Sequence, residues 1–348
     1  VNVVLLTGST PKKEKNEIYK GLKDGSINMV IGTHALIQDE VEYNNLGLVI
    51  TDEQHRFGVK QRVSMVGKGY LIDHLKMSAT PIPRTLGLIL YGDLDISVID
   101  ELPKGRQKID TLVVNSSYYE RMYSFVKKEI ASGRQAFIIC PMVEDSDKET
   151  MADVNAVTSY AEMLKTNYLK DETVEVIHGK MKAKEKTELM NRFNSGDIDV
   201  LVSTTVVEVG INNPNASIMI VENAERFGLS QLHQLRGRVG RGEYKSYCIL
   251  VSESNSKISK DRLSTMKKTS DGFKIAEEDL KLRGPGDFFG YRQSGDPAFK
   301  IADIYTDSQL LALAKKLVDN GVIQIHSKED DITRHGFENY LDFGIICL

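Results

Sequence analysis

The stretch Leu48-Val-Ile-Thr-Asp-Glu-Gln-His55 joins an apolar run to a group of polar side chains, and it decides the fold. Residues 48–51 carry apolar or β-branched side chains on both sides of the pleat, as expected for a strand that helices cover on both faces. The polar side chains follow directly at the carboxyl end of this strand. In open parallel sheets that edge is where ligands bind. The stretch therefore predicts a parallel α/β sheet with a site at its carboxyl edge.

Strand-like and helix-like patterns alternate along most of the chain, which is typical of parallel α/β domains. The first series contains predicted strands at 3–6, 29–32, 46–52 and 75–77, and a helix at 14–22. A second series contains strands at 109–114, 136–140, 174–177, 200–203, 218–221 and 247–251, with helices at 118–132, 154–168, 183–194 and 230–235. Beyond residue 252 the pattern becomes helical, at 257–266, 272–282 and 308–320.

A Pro/Gly turn at 101–105 interrupts this alternation and predicts a linker between two domains. We therefore expect three parts in the 348 residues. Residues 1–103 form a first, truncated α/β domain, and residues 104–255 form a complete second one. Residues 256–348 form a mainly helical hairpin followed by a tail.

Composition excludes several classes of protein. No apolar run approaches the roughly 20 residues of a membrane span, so we expect no membrane protein. Three widely spaced cysteines fit neither a disulfide framework nor a zinc site, which favours a reducing cytoplasm. The net charge of -4 argues against a wholly basic nucleic-acid binder, although local basic patches can still bind DNA.

The stretch Gln234-Leu-Arg-Gly-Arg-Val-Gly-Arg241 packs three arginines into six residues. Each of its glycines would destabilise a helix interior by roughly 1 kcal/mol relative to alanine, so a compensating interaction is expected. Close approach to a polyanion would provide it. The alternative is a solvated basic turn.

The acidic pair Asp52 and Glu53 suits a nucleotide-bound magnesium ion, because Mg²⁺ takes one or two carboxylates together with phosphate oxygens. The neighbouring carboxylate can then deprotonate or orient an attacking water. Taken alone, such a pair is more often a helix N-terminus with favourable charges.

Three motifs in order, at 52–55, 78–80 and 234–241, resemble those of the superfamily 2 helicases, whose ATP site lies between two RecA-like domains. The stretches 52–62, 77–86 and 283–295 resemble more closely the RecG family, bacterial ATP-dependent helicases that remodel stalled forks and recombination junctions. Transcription-repair coupling factors share the last stretch and remain an alternative. A DNA-binding module without chemistry of its own is another.

This resemblance implies roles in ATP hydrolysis for the residues of two motifs. Asp52 would hold Mg²⁺, Glu53 would activate water, and both Gln54 and His55 would couple hydrolysis to the domain contact. Arg238 and Arg241 would be arginine fingers that the second domain supplies to phosphates held by the first, with Gln234 nearby. In this chain we expect both arginines to be poorly ordered or solvent-facing.

The resemblance also implies residues that couple ATP to DNA and residues that contact the DNA backbone. Coupling residues are Ser78, Ala79, Thr80, Arg283, Arg292 and Gln293. DNA-contacting residues are Thr7, Gly8, Ser9, Gly32, Thr33, His34, His178, Thr204, Thr205 and Glu208. For any one of the latter group a plain strand-ending turn is an equal alternative, and each histidine could simply be hydrogen-bonded within its loop.

Two departures from the family pattern affect these expectations. The phosphate loop Gly-x-x-x-x-Gly-Lys-Thr does not occur, and the chain begins within an apolar strand, so we expect a fragment with little ATPase activity. Asn212 stands where an aspartate is usual, which puts its nucleotide contact in doubt. For the parent we expect a bacterial cytoplasmic monomer that uses ATP and Mg²⁺. Its partners would be branched duplex DNA, as in forks and Holliday junctions, and single-stranded DNA-binding protein.

Overall fold

A computed structural model describes residues 1–52, 72–78, 95, 97–99, 101, 107–142, 150–204, 213–283, 310, 313, 316, 317 and 320. The chain separates into two compact units, Val1–Pro81 and Ile82–Leu348. The predicted linker at 101–105 lies largely outside the described residues, and the predicted three-part division stays a prediction.

Two pairs of parallel strands and one long helix make up the described part of the first unit. Its elements are β1 (Val3–Leu6), α1 (Lys12–Asp24), β2 (Met29–Gly32), β3 (Leu48–Thr51) and β4 (Asp73–Lys76). Strand β1 pairs with β2, and β3 pairs with β4, both in parallel. Helix α1 ends at Asp24, and its C-cap is Gly25, whose φ of 79° lies in the left-handed region. Such a C-cap is the usual end of a helix.

Strand β3 differs from its prediction on one face. Val49 is buried, but Leu48 and Ile50 are 55% and 54% exposed, so the expected cover on both sides is wrong for this strand. Strand β4 also begins earlier than predicted, because polar Asp73 and His74 pair with Leu48 and Val49 in the sheet.

A six-stranded, wholly parallel sheet forms the centre of the second unit. Its strands are β5 (Ile109–Val114), β6 (Gln135–Ile139), β7 (Val174–Ile177), β8 (Val200–Ser203), β9 (Ala216–Val221) and β10 (Ser246–Val251). They lie side by side in the order β5-β10-β9-β6-β8-β7. The predicted parallel α/β fold is confirmed in this unit.

Helices follow the strands of this sheet and then continue beyond it. They are α2 (Tyr119–Ala131), α3 (Met151–Asn167), α4 (Ala183–Ser195), α5 (Leu229–Arg236), α6 (Lys257–Lys268) and α7 (Gly272–Arg283). Helix α3 begins three residues before its predicted start because Thr150 and Asp153 form a capping box. In the last predicted helix, residues 310, 313, 316 and 317 are helical.

Both faces of β6, a central strand of the six-stranded sheet, are buried. Ala136 and Ile138 of β6 pack into one apolar cluster, and Phe137 and Ile139 pack into the other. A strand that is buried on both faces lies inside the sheet, so its loops at the carboxyl edge are held on a rigid support.

Candidate functional site

Asp52 and Ser78 lie at one edge of the first unit. Asp52 directly follows β3 and Ser78 follows β4 by two residues; both are exposed. The main-chain N–H of Met77 donates to the carbonyl of Thr51 at 2.8 Å, which extends the pairing to this edge. The structure thus brings together two predicted site residues from separate motifs. Their neighbours Glu53, Gln54, His55, Ala79 and Thr80 lie outside the described residues.

His74 is the second residue of β4 and supports this edge, and no pattern in the sequence selects it. Its Nε2 lies 2.9 Å from the hydroxyl of Thr51 on the neighbouring strand. Burial and the nearby charge of Lys76 both lower the pKa of His74, so the neutral imidazole is favoured. A neutral ring can pair with the hydroxyl without placing a charge beside the strand.

The predicted DNA-contacting residues of the first unit lie together where β1 and β2 end. Leu6 pairs with Gly32 in the parallel register, so Thr7 and Thr33 leave the sheet side by side. The Thr7 hydroxyl lies 3.0 Å from that of Ser9. Gly8, Ser9, Gly32, Thr33 and His34 are exposed. Hydroxyls and main-chain N–H groups presented in this way suit phosphate oxygens.

Gly32 is required by a close approach of the two strands. A Cβ atom on this residue would lie 2.0 Å from the carbonyl oxygen of Leu6. Gly8, in the neighbouring turn, has nothing within 4 Å of its Cβ position. Of these two glycines, Gly32 is the one at which a side chain would push β1 and β2 apart.

Two predicted DNA-contacting residues of the second unit also share an edge. His178 follows β7 and Thr204 follows β8, and the last residues of these strands, Ile177 and Ser203, are paired. Thr204 is buried and His178 is half-buried. Thr205 and Glu208 lie outside the described residues, as does Asn212.

Asn213, in contrast, has a structural position. It is 3% exposed, and its side-chain amide donates to Gln135 Oε1 at 3.0 Å and to the carbonyl of Phe193 at 3.3 Å. These bonds join the end of α4 to the start of β6. Asn213 is therefore a buried structural residue and not a surface contact.

Gln234, Arg238 and Arg241 lie at and just beyond the end of α5. The helix ends at Arg236, and Gly240 follows with a φ of 73°, so the two later arginines belong to a turn. Gln234 and Arg238 are half-buried, and Arg241 is exposed. A Cβ on Gly240 would lie 2.8 Å from Ile109. Ile109 is the first residue of β5, so the turn lies at the amino edge of the sheet. His178 and Thr204 lie at the opposite, carboxyl edge.

Arg236 is the buried member of this arginine motif, and the sequence did not separate it from the others. It is 3% exposed, and one terminal nitrogen donates to the carbonyls of Met266 at 2.8 Å and Thr269 at 3.0 Å. Burial lowers the pKa of this guanidinium, although the group remains charged at neutral pH. Arg236 thus joins α5 to the end of α6.

Two further polar contacts hold the α6–α7 hairpin to the α5 region. One terminal nitrogen of Arg262 on α6 lies 3.2 Å from the carbonyl of Glu225 and 3.4 Å from that of Phe227. The hydroxyl of Ser230 on α5 donates to buried Asp279 on α7 at 3.3 Å. Arg283 is the last residue of α7, while Arg292 and Gln293 lie outside the described residues.

A buried carboxylate, Glu222, follows β9 and was not predicted as a site residue. The hydroxyls of Tyr119 and Tyr160 each donate to one of its oxygens at 2.7 Å. The hydroxyl of Tyr123 lies 2.6 Å from the hydroxyl of Tyr160. Burial raises the pKa of Glu222, and the tyrosine bonds oppose this only in part. The cluster ties β9 to α2 and α3.

A cavity of about 240 Å³ lies beside this cluster. It is lined by residues that include Cys140, Glu222 and Arg226. Strands β6 and β9 are neighbours in the sheet, but the next strand after β6 is β7, on one side, and the next after β9 is β10, on the other. The crevice between two such strands is the usual position of a ligand in parallel α/β sheets. Burial raises the pKa of the Cys140 thiol, so this group stays protonated and is a poor nucleophile.

Over the described ranges, no three or more His, Cys, Asp or Glu side chains are grouped so that they could hold a metal ion. Within the same part of the chain, no helix is long and apolar enough to cross a membrane.

Three family matches cover most of the chain. Residues 1–89 match the DEAD/DEAH box helicases, and residues 118–243 match the helicase conserved C-terminal domain. Residues 269–334 match the C-terminal part of domain 3 of the ATP-dependent DNA helicase RecG.

Individual relatives agree with these matches. The ATP-dependent DNA helicase RecG of Bacillus subtilis (strain 168) is 51% identical over 316 residues, which are 91% of this chain and 46% of that protein. RecG of Thermotoga maritima is 50% identical over 316 residues, which are 91% of this chain and 40% of that protein. A solved structure of RecG bound to a three-way DNA junction is 46% identical, with a TM-score of 0.67, over 89% of this chain and 40% of that one.

The parallel sheets and these matches define the class of the protein: it is built from RecA-like helicase domains, as predicted. Within this class the chain is similar to part of RecG, at 46–51% identity over about nine-tenths of its own length. The chain spans less than half the length of the relatives described above.

Proposed function

We propose that these 348 residues are part of an ATP-dependent DNA helicase that remodels branched DNA, including stalled replication forks and Holliday junctions. The observation that carries the proposal is the 46% identity, over 89% of the chain, to a RecG solved on a three-way DNA junction. The shared edges of predicted site residues support it, because ligands of parallel α/β sheets bind at such edges.

For ATP hydrolysis, the proposal assigns Asp52 as the magnesium ligand. Its exposed carboxylate at the end of β3 fits this role, since Mg²⁺ commonly takes one or two carboxylates together with phosphate oxygens. Glu53 would accept a proton from the attacking water. Arg238 and Arg241 would donate hydrogen bonds to the developing negative charge, with Gln234 beside them. Hydrolysis of ATP to ADP and phosphate would supply the free energy for movement on DNA.

For DNA binding, the proposal assigns the turns after β1, β2, β7 and β8. Thr7, Gly8, Ser9, Gly32, Thr33, His34, His178, Thr204, Thr205 and Glu208 would contact or shape contacts to the phosphate backbone. Small side chains and main-chain N–H groups make such contacts without reading base sequence. The enzyme would therefore recognise the shape of a junction and not its sequence.

For coupling, the proposal assigns two groups of residues. Gln54, His55, Ser78, Ala79 and Thr80 would transmit the nucleotide state through the first domain. Arg283, Arg292 and Gln293 would transmit it through the segment after α7. The three-part division at residues 103 and 255 belongs to the same proposal.

The surroundings of the enzyme are also part of the proposal. We place it in the bacterial cytoplasm as a monomer, with branched DNA and single-stranded DNA-binding protein as partners. The 348 residues contain no Gly-x-x-x-x-Gly-Lys-Thr sequence, so we propose that they hydrolyse ATP weakly by themselves.

A strand-separation assay on a three-way DNA junction tests the proposal. The full-length helicase should separate the labelled strand only with ATP and Mg²⁺, and Asp52→Asn should abolish separation while junction binding persists. Junction binding without any ATP-dependent separation by the unaltered protein would overturn the proposal in favour of a non-catalytic DNA-binding module.

A further inference from the structure

Helix α6 carries a row of exposed lysines. We call this row the lysine face, and it consists of Lys257, Lys260, Lys267 and Lys268. At 3.6 residues per turn, the four positions fall within about 100° of the helix circumference. Leu263 and Met266, on other sides of the helix, are buried. The four lysines therefore lie on one side of the helix.

The charge of α6 is opposite to that of the chain. The helix contains five basic residues and one acidic residue, Asp261, whereas the whole chain has a net charge of -4. Among the described residues, none of the four ammonium groups has a salt-bridge partner. Lys260 donates to the side chain of Asn255 at 3.2 Å. The positive charge of this face is thus available to an external anion.

A basic run is often only a solvated helix surface. Here the helix is held in place by polar contacts, in which Arg236 donates to Met266 and Thr269 and Arg262 donates to Glu225. A surface that is already ordered loses less conformational entropy when a ligand binds. The Arg236 contacts also join α6 to α5, the helix that leads into the arginine turn.

We propose that the lysine face of α6 binds the phosphate backbone of a DNA duplex. This inference rests on the proposed function and adds a contact surface that lies outside the strand-end turns. The row is about 16 Å long at 1.5 Å per residue. A duplex carries one charge per about 1.7 Å of its axis, so about ten phosphate charges lie along that length. Four lysines can neutralise a part of them without reading bases.

The contact predicts a change in the salt dependence of DNA binding. Binding of the 348-residue chain to a mixed-sequence duplex is measured by fluorescence anisotropy across a series of salt concentrations. A combined variant carries Lys257→Gln, Lys260→Gln, Lys267→Gln and Lys268→Gln. Since each neutralised phosphate contributes a slope of about -0.9 to log K against log salt, the slope should become shallower by about 3.6.

A matched control removes the same charge elsewhere. It carries Lys127→Gln, Lys128→Gln, Lys165→Gln and Lys170→Gln, in or just after α2 and α3, and it should keep the slope of the unaltered protein. Replacing the four lysines of α6 by arginine should also keep the slope, which separates lost charge from a fold defect. Circular dichroism checks that each variant is folded.

The outcomes distinguish the two proposals. If the unaltered chain binds duplex and the α6 variant keeps its slope, the inference is wrong while the proposed function stands. A control variant with an equally shallow slope also overturns it, because the effect would then be general charge. If the α6 variant instead loses only binding to an acidic peptide, the surface is a protein-docking site. Absence of DNA binding by the unaltered chain would contradict the proposed function itself.

Discussion

Arg236 on α5 donates a hydrogen bond at 2.8 Å to the main-chain carbonyl of Met266, which lies on α6. The same terminal nitrogen lies 3.0 Å from the carbonyl of Thr269, beyond the end of α6. An arginine in a motif that suggests phosphate binding is therefore occupied in joining two helices. The structure assigns Arg236 to the fold, whereas Arg238 and Arg241 lie on the turn beyond α5.

We expect Arg236→Ala to lower the free energy of unfolding by about 3 kcal/mol, because buried carbonyls lose a charged donor. Arg241→Ala is the matched control from the same motif. Its side chain is exposed, so the change should be within about 0.5 kcal/mol. Urea unfolding followed by circular dichroism measures both. Equal stability of the two variants would contradict the structural role of Arg236.

The two later arginines should behave in the opposite way. In the proposed full-length helicase, Arg238→Ala or Arg241→Ala should reduce DNA-stimulated ATP turnover by at least about 10³-fold, as expected for the loss of an arginine finger. Arg241→Lys should retain little of the ATP turnover, because lysine lacks the forked donor geometry of arginine. Steady-state phosphate release provides the measurement, with the unfolding midpoint as control. Turnover that stays within a few-fold of the unaltered enzyme would exclude the proposed role.

Alanine substitutions at Gly32 and Gly8 test the close approach of β1 and β2 at their carboxyl edge. Gly32→Ala should destabilise the first unit by about 1–3 kcal/mol, since its new methyl group would overlap the carbonyl oxygen of Leu6. It should also weaken DNA binding by displacing Thr33 and His34. Gly8→Ala has free space and should leave stability nearly unchanged. Hydrogen exchange of the β1 and β2 amides reports on both variants, and identical exchange in the two would refute the close approach.

Glu222 should make stability depend on pH in a direction opposite to most carboxylates. Its pKa is raised from the ordinary value of 4.5 by burial. Between 4.5 and the raised pKa the folded protein holds a proton that the unfolded chain has lost, so stability falls as pH rises through this window. Glu222→Gln should remove that fall, which appears as a difference between the two unfolding curves across pH.

Glu253 is the control for the sign of this effect. Hydrogen bonds from Ser116 lower the pKa of Glu253, so its contribution to stability is lost as pH falls. Glu253→Gln should therefore change the pH profile in the reverse direction. A Glu222→Gln profile parallel to that of the unaltered protein would show that the buried carboxylate does not titrate in this range.

The sequence predicts most elements of the described fold because apolar periodicity is a local property. Strands 109–114, 174–177 and 200–203 and the start of helix 272–282 agree with the structure. The position of α5 is also predicted to within one residue at each end. These elements carry their own pattern of buried positions, so no distant residue is needed to identify them.

Long-range pairing explains what the sequence did not predict. The partners of Arg236 lie about thirty residues downstream, and the tyrosines of Glu222 lie 103 and 62 residues upstream. Neither relationship has a local pattern, so an arginine that holds a helix looks the same as one that could bind phosphate. The strand order β5-β10-β9-β6-β8-β7 likewise follows from tertiary packing.

The arginine motif has a consequence for how variants of this protein are interpreted. A change at position 236 is expected to lower the amount of folded protein, whereas changes at positions 238 and 241, through their proposed role in ATP hydrolysis, are expected to lower the activity of each molecule. A survey that records only total activity in cells would place all three in one class. Recording abundance and specific activity as separate traits would test whether the six-residue segment contains one position needed for folding and two with the proposed role in hydrolysis.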